Sequence, residues 1–333
     1  MKKYKKWLIS LLLVLVIFIL AGNYLYEKKS DQKKEKLIYI PKTVDGTNDF
    51  WTSLILGTKM AAKEYGADLT ILAPEREQDV KRQNELLQQA IEEKPDAILI
   101  SPSSFTDSDE LLKKAKKAGI SIVYIDSYTK ENLQEFTVAT DNLEAGRKLG
   151  EYARRLIEDE KEAQIAIVSH VKGVSTAVER EQGFREGLGE LGENVVEVVY
   201  CDSQFEKAYE LTQELLKKYP HLKLIAGMNE YSSVGAARAI RDAGAVQKVK
   251  VVGIDSSKEA VQLMEEGVFS GLVIQKAFKM GYIGVREAIR MIYGEKVEKN
   301  IDSGSELVTL ENMYSSEIEK LLFPFDTEKP SEE

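Results

Sequence analysis

From residue 37 onward the chain alternates short apolar runs with longer amphipathic stretches. The short runs predict strands at 37–40, 67–72, 97–101, 121–125, 136–139, 164–168, 195–200, 222–226, 249–254 and 270–274. Between them, apolar positions three or four residues apart predict helices at 50–65, 80–92, 108–118, 142–158, 177–191 and 205–219. Glycines at 66, 119, 192, 244 and 267 stand where helix C-termini are expected. Most strand runs are continuous and β-branched, as in a parallel sheet buried on both faces. Strand–helix alternation of this kind specifies an α/β fold. Ten strands are many for one sheet, and two lobes divide them naturally.

Ahead of this pattern, four lysines within the first six residues precede an apolar run, 7–21, broken only by Ser10. Extended through Tyr26, the segment reaches the roughly twenty residues that a spanning helix needs. Trp7, Tyr24 and Tyr26 stand at its ends as interface aromatics, and the lysines place residues 1–6 in the cytoplasm. A signal-peptide cut needs small residues, but Ile19 or Leu20 occupies one of those positions. Leu20-Ala21-Gly22 matches the start of a lipoprotein box, yet Asn23 follows instead of the lipid-bearing cysteine. The expectation is an uncleaved single-pass anchor at 7–26, with a cleaved signal peptide as the alternative. Residues 27–36 form a charged tether, 324–333 a polar tail, and the domain between them is extracellular.

The net charge of −9 excludes a nucleic-acid footprint, which needs a basic face. One cysteine, Cys201, cannot form an internal disulfide. Two histidines, His170 and His221, and that cysteine make no metal-binding spacing, so neither metal nor cofactor is expected. Cys201 reads as a small buried residue and His170 as a surface turn, with the cleft as its alternative. Lys113-Lys114-Ala115-Lys116-Lys117 reads as a solvated helix face.

Ligands of open α/β sheets bind beyond the carboxyl ends of the strands. Asn48, Phe50 and Trp51 follow the first strand, Asp126 closes the fourth, and Asn229 follows Leu224-Ile225-Ala226-Gly227-Met228. Asp255 closes Val251-Val252-Gly253-Ile254, Gln275 closes Leu272-Val273-Ile274, and Arg180 stands on a helix after a strand. Carboxylates accept from neighbouring hydroxyls, while Arg, Asn and Gln donate in forked geometry. Together with aromatic walls, these groups suit a polyhydroxylated ligand.

In these segments the chain resembles the type I periplasmic binding proteins, in their ribose-binding-like branch, over residues 36–309. The resemblance rests on Asn48-Asp49-Phe50-Trp51, Ile125-Asp126, Ala139-Thr140-Asp141-Asn142, Glu179-Arg180-Glu181-Gln182-Gly183-Phe184, Met228-Asn229-Glu230, Val252-Gly253-Ile254-Asp255 and Val273-Ile274-Gln275. It implies two Rossmann-like lobes with parallel sheets, 37–140 plus 276–302 and 141–275 plus 303–323. Three hinge crossings, near Asp141, Gln275 and Asp302, join them. It implies ligand roles for Asn48, Phe50, Trp51, Asp126, Arg180, Phe205, Asn229, Asp255 and Gln275. Phe50 and Trp51 would stack on one face of a sugar ring and Phe205 on the other. Ribose binders usually carry arginine after the fourth-strand aspartate; Ser127 stands there here, which points to another pentose or a hexose.

Closure around a monosaccharide, presented to a membrane partner, is the expected function. The anchor favours a sensor subunit beside a membrane histidine kinase; the alternative is the substrate-binding component of a sugar ABC importer, with a permease as partner. An enzyme is not expected: Asp126 and Asp255 could be imagined as a glycosidase pair, but no nucleophile motif is present. A DNA-binding repressor is excluded, because an apolar segment fills the place of its helix-turn-helix.

Overall fold

A computed structural model describes residues 34–160 and 162–322. The expected anchor 7–26, the cytoplasmic segment 1–6, most of the tether and the tail 324–333 lie outside those residues. Among the described residues, no helix is long and apolar enough to cross a membrane.

Among the described residues, twelve strands form two six-stranded sheets. The first contains β1 (Lys36–Ile40), β2 (Asp68–Ile71), β3 (Ala97–Ile100), β4 (Ser121–Ile125), β5 (Phe136–Ala139) and β11 (Asn300–Asp302). Its spatial order is β11-β5-β4-β3-β1-β2, and every pair is parallel. The second contains β6 (Gln164–Ser169), β7 (Val195–Tyr200), β8 (Leu222–Gly227), β9 (Lys250–Ile254), β10 (Phe269–Gln275) and β12 (Ser305–Val308). Its order, β12-β10-β9-β8-β6-β7, repeats the first, except that β12 runs antiparallel to β10. The central strands are buried along nearly all of their length: Ile38, Leu99, Val123, Ile167, Ala226 and Val252 expose nothing. That burial on both faces explains their unbroken apolar runs.

Apolar clusters fill both faces of each sheet. On the first sheet, α1 (Asp49–Tyr65) and α9 (Ala277–Ile292) cover one face, and α2 (Val80–Glu92) and α3 (Asp109–Lys117) the other. On the second, α4 (Asn142–Leu156) and α5 (Ser175–Leu188) pack opposite α6 (Phe205–Lys218), α7 (Glu230–Asp242) and α8 (Lys258–Glu265), with α10 (Ser316–Leu322) closing the lobe. Helices α4 and α5 approach closely because glycines face each other. A Cβ on Gly146 would lie 2.3 Å from the Arg180 carbonyl oxygen, and one on Gly183 2.0 Å from that of Leu143. This contact holds the backbone at Arg180 close against α4.

Two short strands, β11 and β12, escape the hydrophobic pattern because each is an edge strand with polar, partly exposed residues. The expected helix end at Gly192 is corrected: α5 stops at Leu188, where Gly189 takes φ 62°, and Gly192 lies in the following 3₁₀ turn. An L side chain pays for that left-handed backbone and glycine does not.

Three passages join the lobes, from β5 to α4, from β10 to α9 and from β11 to β12. They lie side by side. The Ser303 N–H donates to Ala139 O at 2.8 Å, the Asp141 N–H to Asp302 Oδ1 at 3.1 Å, and the Lys276 N–H to Gly304 O at 3.3 Å.

Candidate functional site

Asp126 and Asp255 occupy equivalent places in the two lobes, one residue beyond β4 and β9. Both carry left-handed backbone, φ 70° and 73°. Each N–H donates 2.9 Å to the neighbouring strand, Asp126 to Val138 O and Asp255 to Val273 O. Aspartate tolerates this region better than most residues, at about 1–3 kcal/mol each. The bend turns both carboxylates off the ends of their sheets and toward each other's lobe.

Between them lies a small, nearly filled interlobe cavity of about 20 Å³. That is far below the roughly 300–1000 Å³ usual for small-molecule sites. Asn48, Phe50, Trp51, Asp126, Arg180, Asn229, Asp255 and Gln275 all line it. The two asparagines also cap helices. Asn48 Oδ1 accepts from the Trp51 N–H at 3.0 Å, and Asn229 Oδ1 from the Ser232 N–H at 3.0 Å and the Ser232 hydroxyl at 2.9 Å. Their oxygens are thus committed to fold, which leaves the amide NH2 groups as donors to a ligand. Phe50 and Trp51 meet edge to face, 5.1 Å between centroids at 84°, and form the apolar wall.

Each aspartate has a cation. Lys42 Nζ lies 2.9 Å from Asp126 Oδ2 with both side chains buried. Arg180 Nη1 lies 4.0 Å from Asp255 Oδ2. Arg180 is held by Nε donating to Asn142 Oδ1 and Nη1 to Met228 O, both at 2.7 Å. Asp255 in turn accepts from Gln275 Nε2 at 2.6 Å and from the Glu230 N–H at 3.2 Å. Burial pushes the Asp255 carboxyl up from its ordinary range, against the opposing pull of Arg180 and Gln275.

Phe205 is not brought to this cavity, a correction to the expected second stacking face. As the first residue of α6, its ring packs on Tyr231, 4.7 Å between centroids, with the Arg238 guanidinium 5.1 Å above it. Both contacts hold it on the second lobe, beside a neighbouring groove. His170 is also corrected: far from a surface turn, it is buried and lines the cavity. Its Nε2 shares a 2.8 Å hydrogen bond with the Thr176 hydroxyl. Burial, Arg180 and Lys42 hold the imidazole well below its ordinary pKa, so it is neutral. His170 Nδ1 and Gln275 Oε1 are buried with no hydrogen-bond partner among the described residues.

Lys42, Glu77, His170 and Thr176 are cavity residues beyond the expected set. Lys42 and His170 both follow strand ends, so the rule that selected Asp126 would have reached them. Glu77 sits in the β2–α2 loop without a motif. It accepts from Trp51 Nε1 and, across the cleft, from the Ser203 hydroxyl at 2.5 Å. Burial pushes its carboxyl up, while Lys42 opposes.

Around the cavity the lobes cap each other's helices. Glu230, at the start of α7, accepts the N–H groups of Asp49 and Phe50 at 3.2 and 3.1 Å, at the N-terminus of α1. Asp49 Oδ2 returns the contact by accepting the Lys258 N–H of α8 at 3.1 Å. Carboxylates suit helix N-termini. The Tyr231 hydroxyl adds a 2.8 Å bond to Asp45 Oδ2.

Comparison with known proteins gives a consistent picture. A family model described as a periplasmic binding protein domain matches residues 39–296. The ribose import binding protein of Bacillus subtilis is 27% identical over 308 residues, covering 90% of this chain and 98% of its own. A crystal structure of a sugar transporter from Clostridium phytofermentans superposes with TM-score 0.79 at 42% identity, over 83% of this chain and 99% of that one. A carbohydrate transporter solute binding protein from Agrobacterium radiobacter, in complex with D-arabinose, gives TM-score 0.83 at 29% identity, over 88% and 100%.

Proposed function

Since the chain belongs to the periplasmic binding protein family, in its ribose-binding-like branch, we propose that it is the solute-binding component of a sugar ABC importer, closing around one neutral monosaccharide. The observation that carries this reading is the interlobe cavity with one carboxylate–cation pair from each lobe. Lys42 and Arg180 offset Asp126 and Asp255, and His170 is neutral. Among the described residues lining the cavity, no cation is left over for a sugar phosphate or a sugar acid. Hydroxyls, each a donor and an acceptor, are matched by carboxylates alternating with amides and cations. Phe50 and Trp51 supply an apolar face for the ring C–H groups.

Asn48, Phe50, Trp51, Asp126, Arg180, Asn229, Asp255 and Gln275 are the proposed ligand residues. The three adjacent passages near Asp141, Gln275 and Asp302 are the proposed hinge. A ligand that touches both lobes binds the closed form better and shifts the population toward it. The domain acts outside the cytoplasm, and its closed form is read by the permease. Proteins named as import binding proteins and transporters among the relatives support the importer over the sensor subunit. Only the apolar segment 7–26, outside the described residues, favours the anchored sensor.

Thermal unfolding against a panel of pentoses and hexoses tests the proposal. A sugar at a hundred times its Kd stabilises by about 2.7 kcal/mol, a midpoint rise of roughly 5 °C for a chain of this size. No rise with any neutral sugar would refute the monosaccharide reading.

A further inference from the structure

Helix α10 ends at Leu322 on the wall of a larger interlobe groove, about 480 Å³ in volume. The groove lies between α1 and α9 of the first lobe and, on the second, the loop after β9 and α10 itself. Phe50, Ile274, Ala277, Phe278, Leu321 and Leu322 give it apolar walls. Four lysines also line it, Lys258, Lys276, Lys279 and Lys320. Lys276 Nζ is paired with Glu306 at 2.8 Å, and Lys279 Nζ donates to Ser303 O at 3.1 Å. Lys258 and Lys320 are exposed, and among the described residues neither ammonium has a carboxylate within ion-pair reach. The groove's two carboxylates are already engaged, Asp49 by the Lys258 N–H and Asp255 by Arg180 and Gln275. Helix α9 also starts here, with no side-chain cap and no acidic residue in its first turn. Its positive end therefore adds to the lysines' attraction for a carboxylate.

The residues after Leu322 match these features in order. Phe323-Pro324-Phe325 comes first, followed by Asp326, Glu328, Glu332 and Glu333 against a single Lys329. We propose that this C-terminal segment, 323–333, docks in the groove as a strap across the two lobes. Phe323 and Phe325 cover the apolar walls, and the acidic residues face the lysines and the start of α9. An aromatic side chain buries about 150–250 Å², so two of them supply the grip and the charges set the direction. No linker is needed, because Phe323 continues directly from the groove wall. The strap is rooted on the second lobe and seated on α1 and α9 of the first. It therefore fits the closed arrangement better than an open one and shifts the population toward closure. This holds whatever ligand the neighbouring cavity takes.

Hydrogen-exchange mass spectrometry of the full chain, with the free peptide 323–333 as reference, tests the docking. In the parent, the amides of 325–328 exchange about tenfold or more slowly than in the peptide. Phe323→Ser combined with Phe325→Ser abolishes that protection and speeds exchange in the first turn of α9. Lys258→Glu leaves the aromatics and α10 untouched and cuts the protection by about threefold or more, as for reversal of one exposed charge. Parent amides that exchange like the free peptide would overturn the strap. Protection that survives both variants would also overturn it, since α10 would then simply run on past Leu322. Protection that grows with protein concentration would overturn it as well, because a second copy would then supply the contact.

Discussion

Replacing Arg180 with methionine removes the cation of the second lobe while keeping much of its aliphatic volume. The side chain is 3% exposed and makes two 2.7 Å hydrogen bonds, to Asn142 Oδ1 and Met228 O, besides facing Asp255 at 4.0 Å. Hydrogen bonds from a charged donor are worth about 1.5–3 kcal/mol each, and stranding one partner of a buried ion pair costs about 3–5 kcal/mol. These contributions overlap, because Asp255 keeps its bonds from Gln275 and the Glu230 N–H. The expected loss is about 3–5 kcal/mol at pH 7.5.

Its pH dependence distinguishes this mechanism from simple loss of packing. In the parent, Arg180 opposes the burial that raises the Asp255 pKa; without it, that pKa rises further. A carboxyl with a raised folded pKa holds a proton that the unfolded chain has already released. Stability is then full below the unfolded carboxylate range, near 4, and is lost as pH rises through the folded value. Relative to the parent, the variant is destabilised more at pH 7.5 than at pH 5.5, by about 1 kcal/mol or more for each pKa unit gained within that window. Urea unfolding followed by circular dichroism at the two pH values reads both quantities. A loss below about 1 kcal/mol at pH 7.5, or one equal at both pH values, would refute the reasoning.

Gly146→Ala places a Cβ 2.3 Å from the Arg180 carbonyl oxygen and forces α4 and α5 apart, at about 1–3 kcal/mol for overpacking. Because α5 carries Arg180, sugar affinity falls with stability; urea unfolding and titration check both, and an unchanged affinity contradicts the link. Glu230→Ala deletes the interlobe cap on α1, about 1 kcal/mol for an N-terminal acceptor. Small-angle scattering without ligand should then show a larger radius of gyration than the parent. Cys201 is buried and its thiol is pushed up to about 11 by burial, so it resists thiol reagents in the native protein and reacts once urea unfolds it; rapid native labelling would contradict that placement.

Much of the fold was legible because the central strands are buried on both faces. Runs such as Ser121–Ile125 and Ala97–Ile100 are bounded in the structure where the apolar pattern stops. Strands β11 and β12 left no such trace: Asn300–Asp302 and Ser305–Val308 are short edges whose pairing is decided by the passage between lobes. In the site, residues directly after strands were visible because topology alone puts them on one edge. Phe205 also stands near a strand end, but contacts with Tyr231 and Arg238 hold its ring aside, and neither partner is visible from the local sequence. Glu77 reaches the cavity through a loop whose path depends on Trp51 and on Ser203 of the other lobe. Ser127 showed that a cation was missing after Asp126, while Lys42, eighty-four positions earlier, could be matched to it only in three dimensions.

The central claim is that one monosaccharide is gripped by a carboxylate from each lobe. Calorimetric titration of the sugar panel into the parent and into Asp126→Asn and Asp255→Asn tests it most directly. The account predicts one sugar per chain in the parent and a loss of about tenfold or more in each variant, since each removes an acceptor from a buried hydroxyl. Parent-like affinity in either variant would contradict it, because that lobe's carboxylate would then lie outside the grip.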